Sequence, residues 1–241
     1  MKEMMRAIYF SEFKGELSVK EVDVPSTPAC GVLIRVEATG LCRSDWHGWS
    51  GHDSDISLPH VPGHELAGVV EVVGEGVKKF SVGDRVTVPF VNGCGRCSFC
   101  LSGNAQVCPQ QTQPGFTQWG SFAEYVAIEN ADFNLISLPH EIAFATAAAL
   151  GCRFATAFRG LVDRAEIKKG EWVSVYGCGG VGLSAIMIAK AMGAKVLAID
   201  INPDALKKAS DLGADYAINS SLVNPVTTVQ DLTDGGAHIS I

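Results

Sequence analysis

The sequence predicts an α/β protein in which a β-rich, barrel-like domain precedes a doubly wound parallel sheet. Three observations predict this fold class. Short β segments separated by turns fill the first part of the chain, the composition changes near residue 153, and strands then alternate with helices. Short strands at this spacing are typical of compact β domains, whereas alternation of strands and helices is typical of a parallel sheet covered on both faces.

The first domain is predicted to span residues 1–153. Glycine turn signals such as Gly74-Glu75-Gly76 and Gly83-Asp84 separate its β segments. The predicted strands cover residues 32–36, 68–73, 85–88 and 123–128.

The second domain is predicted to span residues 154–241. Apolar runs predict strands over 172–176, 195–199 and 216–218, helices over 180–192, 203–212 and 226–232, and the start of a fourth strand at 238–241. Asn202 is the expected N-cap of the second helix, Pro203 its first residue and Gly213 its C-terminal stop. A doubly wound fold has about six strands. We therefore expect a sheet truncated after about three to four strands, in a fragment that lacks about 100 residues at roughly 30 per βα unit.

Composition narrows the class of protein. The 241 residues are 47% hydrophobic, and 19 basic against 26 acidic residues give a net charge of −7. No dense Lys/Arg run is present, so a nucleic-acid partner is not expected. The sequence also predicts no membrane span and no secretory signal, and hence a cytoplasmic protein. Eight cysteines are too few for a disulfide scaffold, so clustered cysteines point to a metal or to catalysis.

A lobe over about residues 93–109 contains a cysteine cluster with the pattern C-x2-C-x2-C-x7-C. Its members are Cys94, Cys97, Cys100 and Cys108. Four thiolates saturate a tetrahedral ion and exclude water, which favours a structural zinc. An iron–sulfur cluster, a redox dithiol and chance clustering are the alternatives.

A second candidate metal set is scattered along the chain and consists of Cys42, His64 and Cys152. Two cysteines and one histidine with an open fourth position form one pattern of catalytic zinc. Each residue alone is weak evidence, because a lone cysteine is usually a small buried hydrophobe.

A glycine-rich loop between a predicted strand and helix suggests a dinucleotide site. It reads Gly177-Cys178-Gly179-Gly180-Val181-Gly182. Its glycines allow a tight turn and close helix packing, and the helix N-terminus offers N–H groups to a pyrophosphate. Asp200 ends the next strand and would accept hydrogen bonds from the ribose of NAD, whereas it would repel the 2′-phosphate of NADP. The alternative is a glycine-rich turn of another α/β protein.

Three further segments lead to a family. They are Cys42-Arg43-Ser44-Asp45-Trp46-His47, Gly63-His64-Glu65-Leu66-Ala67-Gly68-x5-Gly74-x2-Val77 and Gly151-Cys152-Arg153-Phe154-Ala155-Thr156. Together with the cysteine lobe and the glycine loop, these segments follow one another along the chain as they do in the zinc-containing medium-chain alcohol dehydrogenases. The chain resembles that family from about residue 30 onward. The resemblance implies a GroES-like catalytic first domain and a partial NAD-binding Rossmann domain.

The resemblance also implies roles for the residues around the scattered set. Cys42, His64 and Cys152 would hold a catalytic zinc, with water or substrate oxygen as the fourth ligand, and Glu65 would be an alternative or neighbouring ligand. Asp45 would fix the His64 tautomer. Ser44 and His47 would form a proton relay. His47 could instead be only a solvated histidine.

The resemblance also implies which residues contact the coenzyme and the substrate. Arg43 would pair with the pyrophosphate, and Thr156 and Val181 would contact the nicotinamide side, while Gly177, Gly179, Gly180, Gly182 and Asp200 would complete the NAD site. Trp49 and Phe90 would form walls of the substrate pocket. Arg43 could instead be a surface charge, and the two aromatics could be core residues. Ala205 stands where the family often has a basic residue that contacts the ribose, so that contact is not expected.

The implied function is zinc-dependent hydride transfer between a primary or secondary alcohol and NAD, with an aldehyde or ketone in the reverse direction. Two Zn²⁺ per chain and a dimer or tetramer of the longer parent are expected. Alternatives are a non-catalytic zinc-binding fragment, a polyol or amino-alcohol dehydrogenase of the same superfamily, and a thiol redox sensor that uses the cysteine lobe.

The remaining cysteines and histidines receive no ligand role. Cys30 and Cys178 are interpreted as packing residues. The histidines without an assigned role are His52, His60, His140 and His238.

Overall fold

A computed structural model describes residues 3–241, which divide between Cys152 and Arg153 into two compact units. The units are described separately below. The predicted α/β fold class is confirmed, because the first unit holds an antiparallel sheet and the second a parallel one. Among the helices of the described residues, none is both long enough and apolar enough to cross a membrane.

The first unit consists mainly of strands joined by loops and short helices. Its strands are β1 (Met4–Tyr9), β2 (Ser18–Asp23), β3 (Val32–Gly40), β4 (Glu65–Val73), β5 (Arg85–Thr87), β6 (Tyr125–Ile128) and β7 (Ile136–Ser137). Its helices are α1 (Arg43–Trp49), α2 (Ser98–Leu101), α3 (Ala131–Asn134) and α4 (Phe144–Ala148), with a 3₁₀ turn at Ala105–Val107.

The main sheet of this unit has the order β6-β3-β4-β5-β7, with antiparallel neighbours, and β1 pairs with β2 in a separate hairpin. Strand β3 is the centre of the unit, because it pairs with both β4 and β6. Inward-facing β-branched and leucine side chains fill the interior, and Val32, Ile34, Leu66 and Val86 are fully buried there. Burial of this apolar surface is the main force that stabilises the sheet.

The four strands predicted for this unit are present, with shifted ends. β4 begins at Glu65, three residues before the predicted start, because residues 65–67 continue the pairing with β3. β5 ends at Thr87, and Pro89 lacks the N–H that a longer ladder would need. β6 begins at Tyr125, while Ala123 forms only an isolated bridge with Ala7.

The second unit has the predicted alternation of strands and helices. Its strands are β8 (Trp172–Tyr176), β9 (Lys195–Asp200), β10 (Tyr216–Asn219) and β11 (Ile239–Ser240). Its helices are α5 (Ala155–Phe158), α6 (Gly180–Ala191), α7 (Pro203–Asp211) and α8 (Pro225–Thr233), with a π-helical turn at Arg159–Arg164. A further π-helical turn, Leu150–Phe154, spans the division between the units.

These strands form a parallel sheet in the order β10-β9-β8-β11. Helix α6 packs on it through small residues, with Ala185 and Ala189 fully buried in one cluster with Val173 and Val196. Small side chains bring the helix close to the strands, which explains why a helix with little amphipathic contrast is stable here.

The predicted helix signals of α7 are confirmed. The Asn202 side-chain oxygen accepts hydrogen bonds from the N–H groups of Asp204 (2.8 Å) and Ala205 (3.4 Å), and Pro203 is the first helical residue. Gly213 follows the helix with φ +99°, the left-handed conformation that favours glycine.

Asp215, the residue before β10, connects helix α6 to strand β9. Its Oδ2 accepts hydrogen bonds from Val196 N of β9 at 2.7 Å and from Lys190 Nζ of α6 at 2.8 Å. Burial acts to raise the pKa of this carboxyl, but Lys190 and the Val196 N–H outweigh it and lower the pKa below its ordinary value of 3.8. A lowered folded-state pKa stabilises the fold above the ordinary pKa, and this contribution is lost as the pH falls through the folded-state value.

We therefore expect Asp215→Asn to lower the free energy of unfolding of the second unit by about 1 kcal/mol at pH 7, since the carboxylate is partly exposed and solvent screens its charge. The difference should shrink as the pH falls below the ordinary carboxyl pKa. Hydrogen exchange of the β9 and β10 amides measures this unit alone. The control is Asp211→Asn, whose pair with Lys207 is exposed and should contribute less. An equal effect of both variants, or a pH-independent loss, would contradict the assignment.

Candidate functional site

Cys42 owes its position to the start of α1, where it is the N-cap residue with extended backbone angles. Its N–H donates to Asp45 Oδ2 at 2.8 Å, and this contact connects the cap to the first turn of the helix. An acidic residue is favourable in a first turn, because it accepts free N–H groups and faces the positive end of the helix dipole. The Cys42 thiol is thereby held beside the helix, 3.8 Å from the Ser44 hydroxyl.

His64 is oriented by the other oxygen of the same carboxylate. Asp45 Oδ1 lies 3.0 Å from His64 Nδ1 and also accepts from Gly63 N at 3.2 Å. His64 is fully buried and Asp45 is only 5% exposed. When the ring is neutral and Nδ1 donates to Asp45, the lone pair lies on Nε2, which is buried and has no hydrogen-bond partner among the described residues. An unpartnered buried nitrogen of this kind fits a metal ligand.

Two more potential ligands join Cys42 and His64. Ligand atoms of Cys42, His64, Glu65 and Cys152 all lie within 4.8 Å of one another. Glu65 is fully buried at the start of β4, opposite Gly40, where a Cβ would stand 2.3 Å from Glu65 Oε2. Cys152 lies in the π-helical turn, which is held by a hydrogen bond from Phe90 N to Gly151 O at 3.1 Å.

The electrostatics of the cluster favour a Cys42 thiolate beside a protonated His64. The neighbouring side chains of Cys152 and His64 outweigh burial and lower the pKa of Cys42 to about 3. Burial acts to lower the pKa of His64, but the hydrogen bond with Asp45 and the contact with Cys42 outweigh it and raise the pKa to about 9. Cys42 is therefore a thiolate at neutral pH, which is the form that binds metals. A metal ion at this point would replace the proton of His64 Nε2.

A cavity of about 230 Å³ adjoins His64. Its lining residues are Ser44, His47, Asp53, His64, Phe90, Gln113 and Phe116. The structure thus brings together the predicted relay residues and the predicted pocket residue Phe90, whose ring centroid lies 6.3 Å from that of His64. Phe116 lies closer to His64, at 5.2 Å.

The other predicted pocket residue, Trp49, has a different position. Its Nε1 donates to Gly15 O at 2.9 Å, its ring packs against a cluster that contains Phe10 and Ile56, and it lines a separate, apolar cavity of about 550 Å³. Conversely, Asp53, Gln113 and Phe116 were not identified from the sequence. They lie in loops without a motif, so only the fold reveals their position beside His64.

The four cysteines of the lobe also converge. Cys94, Cys97, Cys100 and Cys108 have sulfur atoms within 4.8 Å of one another, with Sγ–Sγ distances of 4.0 Å for Cys94–Cys100 and 3.7 Å for Cys97–Cys108. These distances are far longer than a disulfide bond, and all four thiols are free. They match the edge of about 3.8 Å of a tetrahedron with Zn–S bonds of roughly 2.3 Å. The geometry therefore fits a four-thiolate zinc site.

The lobe is attached to the first unit by Asn134 of α3. Its side chain accepts from Gly93 N at 2.8 Å and donates to Gly93 O at 3.0 Å, one residue before Cys94. Backbone N–H groups of Arg96 and Cys97 also lower the pKa of Cys94 to about 6, which favours the thiolate.

The two cysteines outside these clusters differ in burial. Cys178 is buried in the core of the second unit, as predicted. Cys30 is exposed, so its interpretation as a packing residue is wrong. It lies in the loop between β2 and β3, where its carbonyl accepts from Ala131 N while the side chain faces outward.

The glycine loop of the second unit connects β8 to α6. A Cβ at Gly182 would stand 1.9 Å from Gly177 O, so only glycine permits this close approach of helix and loop. At Gly177 and Gly179, by contrast, a Cβ would meet no described atom within 4 Å. The backbone on this side of the loop is therefore open to a ligand, and the N-terminus of the twelve-residue α6 follows directly.

Asp200, at the end of β9, fixes the shape of this loop. Its Oδ2 accepts from Cys178 N at 2.7 Å and its Oδ1 from Asn202 N at 2.8 Å. These N–H groups lower the pKa of Asp200, so it is ionised at neutral pH. The Ile201 N–H also contributes, and because a carboxylate has about four acceptor positions, about one remains for a ligand.

The other predicted coenzyme residues are accessible in their own units. In the first unit Arg43 is exposed, with its guanidinium 4.3 Å from the centre of the Trp46 ring. In the second unit Thr156 is exposed in α5, and Val181 is 42% exposed in the first turn of α6. Their coenzyme contacts stay predictions.

Comparison with known proteins adds independent evidence. Residues 29–140 match the family model described as the alcohol dehydrogenase GroES-like domain, and residues 180–241 match that of the zinc-binding dehydrogenases. An alcohol dehydrogenase of Geobacillus stearothermophilus is 40% identical over 240 residues, which are 98% of this chain and 69% of the relative.

Solved structures agree with the sequence matches. The alcohol dehydrogenase of Thermus sp. ATN1 has a TM-score of 0.90 at 36% identity, with 95% of this chain and 67% of that chain covered. A structure described as an NAD-dependent alcohol dehydrogenase has a TM-score of 0.86 at 36% identity, with 96% and 68% covered. The chain thus spans about two thirds of the length of these relatives.

The double role of the Asp45 carboxylate can be tested by Asp45→Asn. The amide must turn its NH₂ group either toward the Cys42 N–H or toward the donors of Gly63 and His64, so one donor loses its acceptor. We expect zinc affinity at the Cys42–His64–Cys152 cluster to fall about 10–100-fold, the usual effect of losing a carboxylate behind a histidine ligand.

Competition titration against a chromogenic chelator measures this affinity, and zinc at the cysteine lobe is the internal reference. Asp55→Asn, in an exposed loop, is the control variant. Unchanged affinity in Asp45→Asn would show that His64 does not need this carboxylate.

Proposed function

The chain belongs to the zinc-containing medium-chain alcohol dehydrogenase family, and from this premise we propose that it serves zinc-dependent hydride transfer between a primary or secondary alcohol and NAD. The observation that carries the proposal is the convergence of Cys42, His64, Glu65 and Cys152 on one point, with His64 Nε2 buried and unpartnered among the described residues. A set of two thiolates and one imidazole suits a catalytic zinc with a position left for substrate.

Each protein residue has a distinct task in this proposal. Cys42, His64 and Cys152 hold the catalytic zinc, and Glu65 lies beside them as an alternative ligand. When bound, zinc supplies a Lewis acid that lowers the pKa of the substrate hydroxyl and polarises the carbonyl in the reverse direction. Asp45 keeps the His64 lone pair directed at the ion by holding Nδ1.

The proton of the alcohol needs an exit, because the cavity beside His64 is small and partly walled by aromatic rings. Ser44 lies on the first turn of α1 beside Cys42 and lines this cavity with His47. A hydroxyl can accept a proton while it donates its own to an imidazole, so Ser44 and His47 suit the transfer of the proton away from the substrate.

The cavity walls limit the substrate. Phe90 and Phe116 offer apolar faces around His64, whereas Asp53 and Gln113 provide polar groups at the same cavity. A volume of about 230 Å³ in this unit suits a small alcohol with an apolar part.

The second unit is proposed to bind the coenzyme. Gly177, Gly179, Gly180 and Gly182 bring backbone N–H groups and the α6 N-terminus to the pyrophosphate, and the remaining acceptor position of Asp200 binds a ribose hydroxyl. NAD, when bound, supplies the hydride acceptor. A negative carboxylate at this point disfavours a 2′-phosphate, which supports NAD over NADP.

The metal content provides the first test. We expect two zinc ions per chain, one at the cluster and one at the lobe. Native mass spectrometry should give one zinc in Cys42→Ser, with the lobe filled, and a folded but less stable protein with one zinc in Cys97→Ser. Cys30→Ser, outside both clusters, should keep two. A single zinc in the unmodified protein would overturn the two-site proposal.

The coenzyme preference provides the second test. Asp200→Asn keeps an acceptor for the Cys178 N–H but removes the charge. We expect NAD to bind about tenfold more weakly, the equivalent of about 1.4 kcal/mol, and the discrimination against NADP to fall. Isothermal titration with both coenzymes measures this, and Asp204→Asn, on exposed helix α7, is the matched control.

The reaction itself is tested by the absorbance of NADH with a panel of primary and secondary alcohols. The zinc-loaded protein should reduce NAD only when alcohol is present, and Cys42→Ser should abolish this. If the protein holds two zinc ions and binds NAD yet reduces none with any alcohol, the proposed reaction is wrong and a zinc-binding role without turnover replaces it.

A further inference from the structure

The end of helix α1 brings two histidines together. Gly51 N donates to Gly48 O at 3.0 Å, and His52 N donates to His47 O at 3.0 Å. Gly51 has φ +76°, so this is a Schellman motif, in which the residue after the left-handed glycine returns to the last turn of the helix. In this motif the side chains at the positions of His47 and His52 become neighbours.

The two imidazole rings are hydrogen-bonded. His47 Nδ1 lies 3.0 Å from His52 Nδ1, with ring centroids 5.3 Å apart. The Trp46 ring packs edge-on against both, at 4.9 Å from His47 and 5.5 Å from His52. Both histidines are solvent-exposed, and His47 also lines the cavity beside His64.

A hydrogen bond between two Nδ1 atoms restricts the protonation states of the pair. One Nδ1 must carry a proton and the other must accept it. In the neutral pair, one ring is therefore protonated at Nδ1 and the other at Nε2. The Nε2 atoms are then the nitrogens left to exchange protons with other groups. Through this Nδ1–Nδ1 hydrogen bond, the tautomer of one ring sets that of the other.

We propose that His52 is a positioning residue that acts through His47, so that the two imidazoles form one proton-exchange unit with His52 as its solvent-side member. This inference rests on the proposed function, in which His47 receives the proton of the alcohol by way of Ser44. It assigns to His52 a task that the sequence motifs do not suggest.

The proton balance of the unit is simple. His47 accepts a proton at Nε2, its Nδ1 proton moves to His52 Nδ1, and His52 releases its own Nε2 proton to water. One proton enters, one leaves, and no electrons are transferred. Exchange of the ring N–H protons with water, which reaches both exposed rings, restores the starting tautomers.

Charged residues on the segments around the pair include Arg43, Asp45, Asp53 and Lys14, whose backbone N–H donates to Trp49 O at 2.8 Å. The Arg43 guanidinium stacks on the Trp46 ring. Asp53 directly follows His52 in the sequence and lines the cavity with His47. Asp45, on the same helix, is occupied by Cys42, Gly63 and His64. Asp53→Asn, which removes the carboxylate next to His52 in the sequence, is therefore a further control and should leave the His47–His52 pair intact.

The decisive experiment is a pH titration of the imidazole nitrogens by NMR, which requires neither zinc nor NAD. In the unmodified protein His47 and His52 should titrate as a coupled pair, with both rings sensing two steps. His52→Gln, which keeps a hydrogen-bonding group but cannot titrate, should leave His47 with one simple step. His52→Phe keeps the contact with Trp46 and should do the same. His140→Gln, an exposed histidine elsewhere, should change nothing.

A second variant tests the origin of the pair. Gly51→Ala strains the left-handed turn, and its Cβ would stand 2.9 Å from the Phe13 ring, so His52 should be displaced and the coupling lost. In the alcohol assay His52→Gln should lower kcat about tenfold and shift its pH profile, less than the roughly 100-fold or more expected for a group that transfers the proton directly.

The outcomes separate the two proposals. Identical His47 titration curves in the unmodified protein and in His52→Gln overturn the pair, whatever the activity. A coupled titration with an unchanged pH profile of alcohol oxidation overturns the role of His52 in the reaction. A coupled titration in a protein that reduces no NAD with any alcohol supports the pair as a proton-exchange unit and counts against the proposed function alone.

Discussion

The carboxylate of Asp45 positions two of the predicted metal ligands of the first unit, Cys42 and His64. One oxygen receives the N–H of Cys42 and the other receives Gly63 and the His64 ring, so a single side chain connects the start of α1 to the segment before β4. Two ligands that are twenty-two positions apart in sequence thereby acquire a fixed separation. Because the carboxylate is buried, these charge-assisted hydrogen bonds act in a medium of low polarity and are strong. The orientation of His64 and its distance from Cys42 follow from this arrangement.

The second unit uses the same chemical device for a different purpose. Asp200 accepts Cys178 N and Asn202 N, so the glycine loop is already shaped before a coenzyme arrives. Preformed binding sites lose less conformational entropy when they bind. In both units, therefore, an aspartate holds backbone N–H groups in place and also contacts a ligand or a residue that binds one.

Local patterns predicted the second unit well because its rules act over a few residues. Asn202, Pro203 and Gly213 mark the ends of α7 by their own chemistry, and each does so in the structure. The first unit was less predictable, since α1 to α4 are too short to show periodicity and β1 and β2 form a largely exposed hairpin. The ligand clusters were predicted from motifs, but Phe116 and Gln113 reach the cavity only through long-range packing. The His47–His52 pair was partly predictable. A glycine such as Gly51 suggests the end of a helix, but the sequence does not show that the turn brings the two imidazoles together.

The two sulfur-rich sites differ in how far their members are separated along the chain. The lobe closes within a fifteen-residue window, from Cys94 to Cys108, whereas the other cluster must join Cys42 to Cys152 across most of the first unit. The entropy of closing a loop rises with its length, so closing the compact site costs less entropy. Under the two-zinc proposal, the lobe would have all its ligands once Cys108 leaves the ribosome, whereas the larger cluster would have its own only after Cys152 has emerged. The spacing of the cysteines would then set the order in which the two sites can form on the nascent chain.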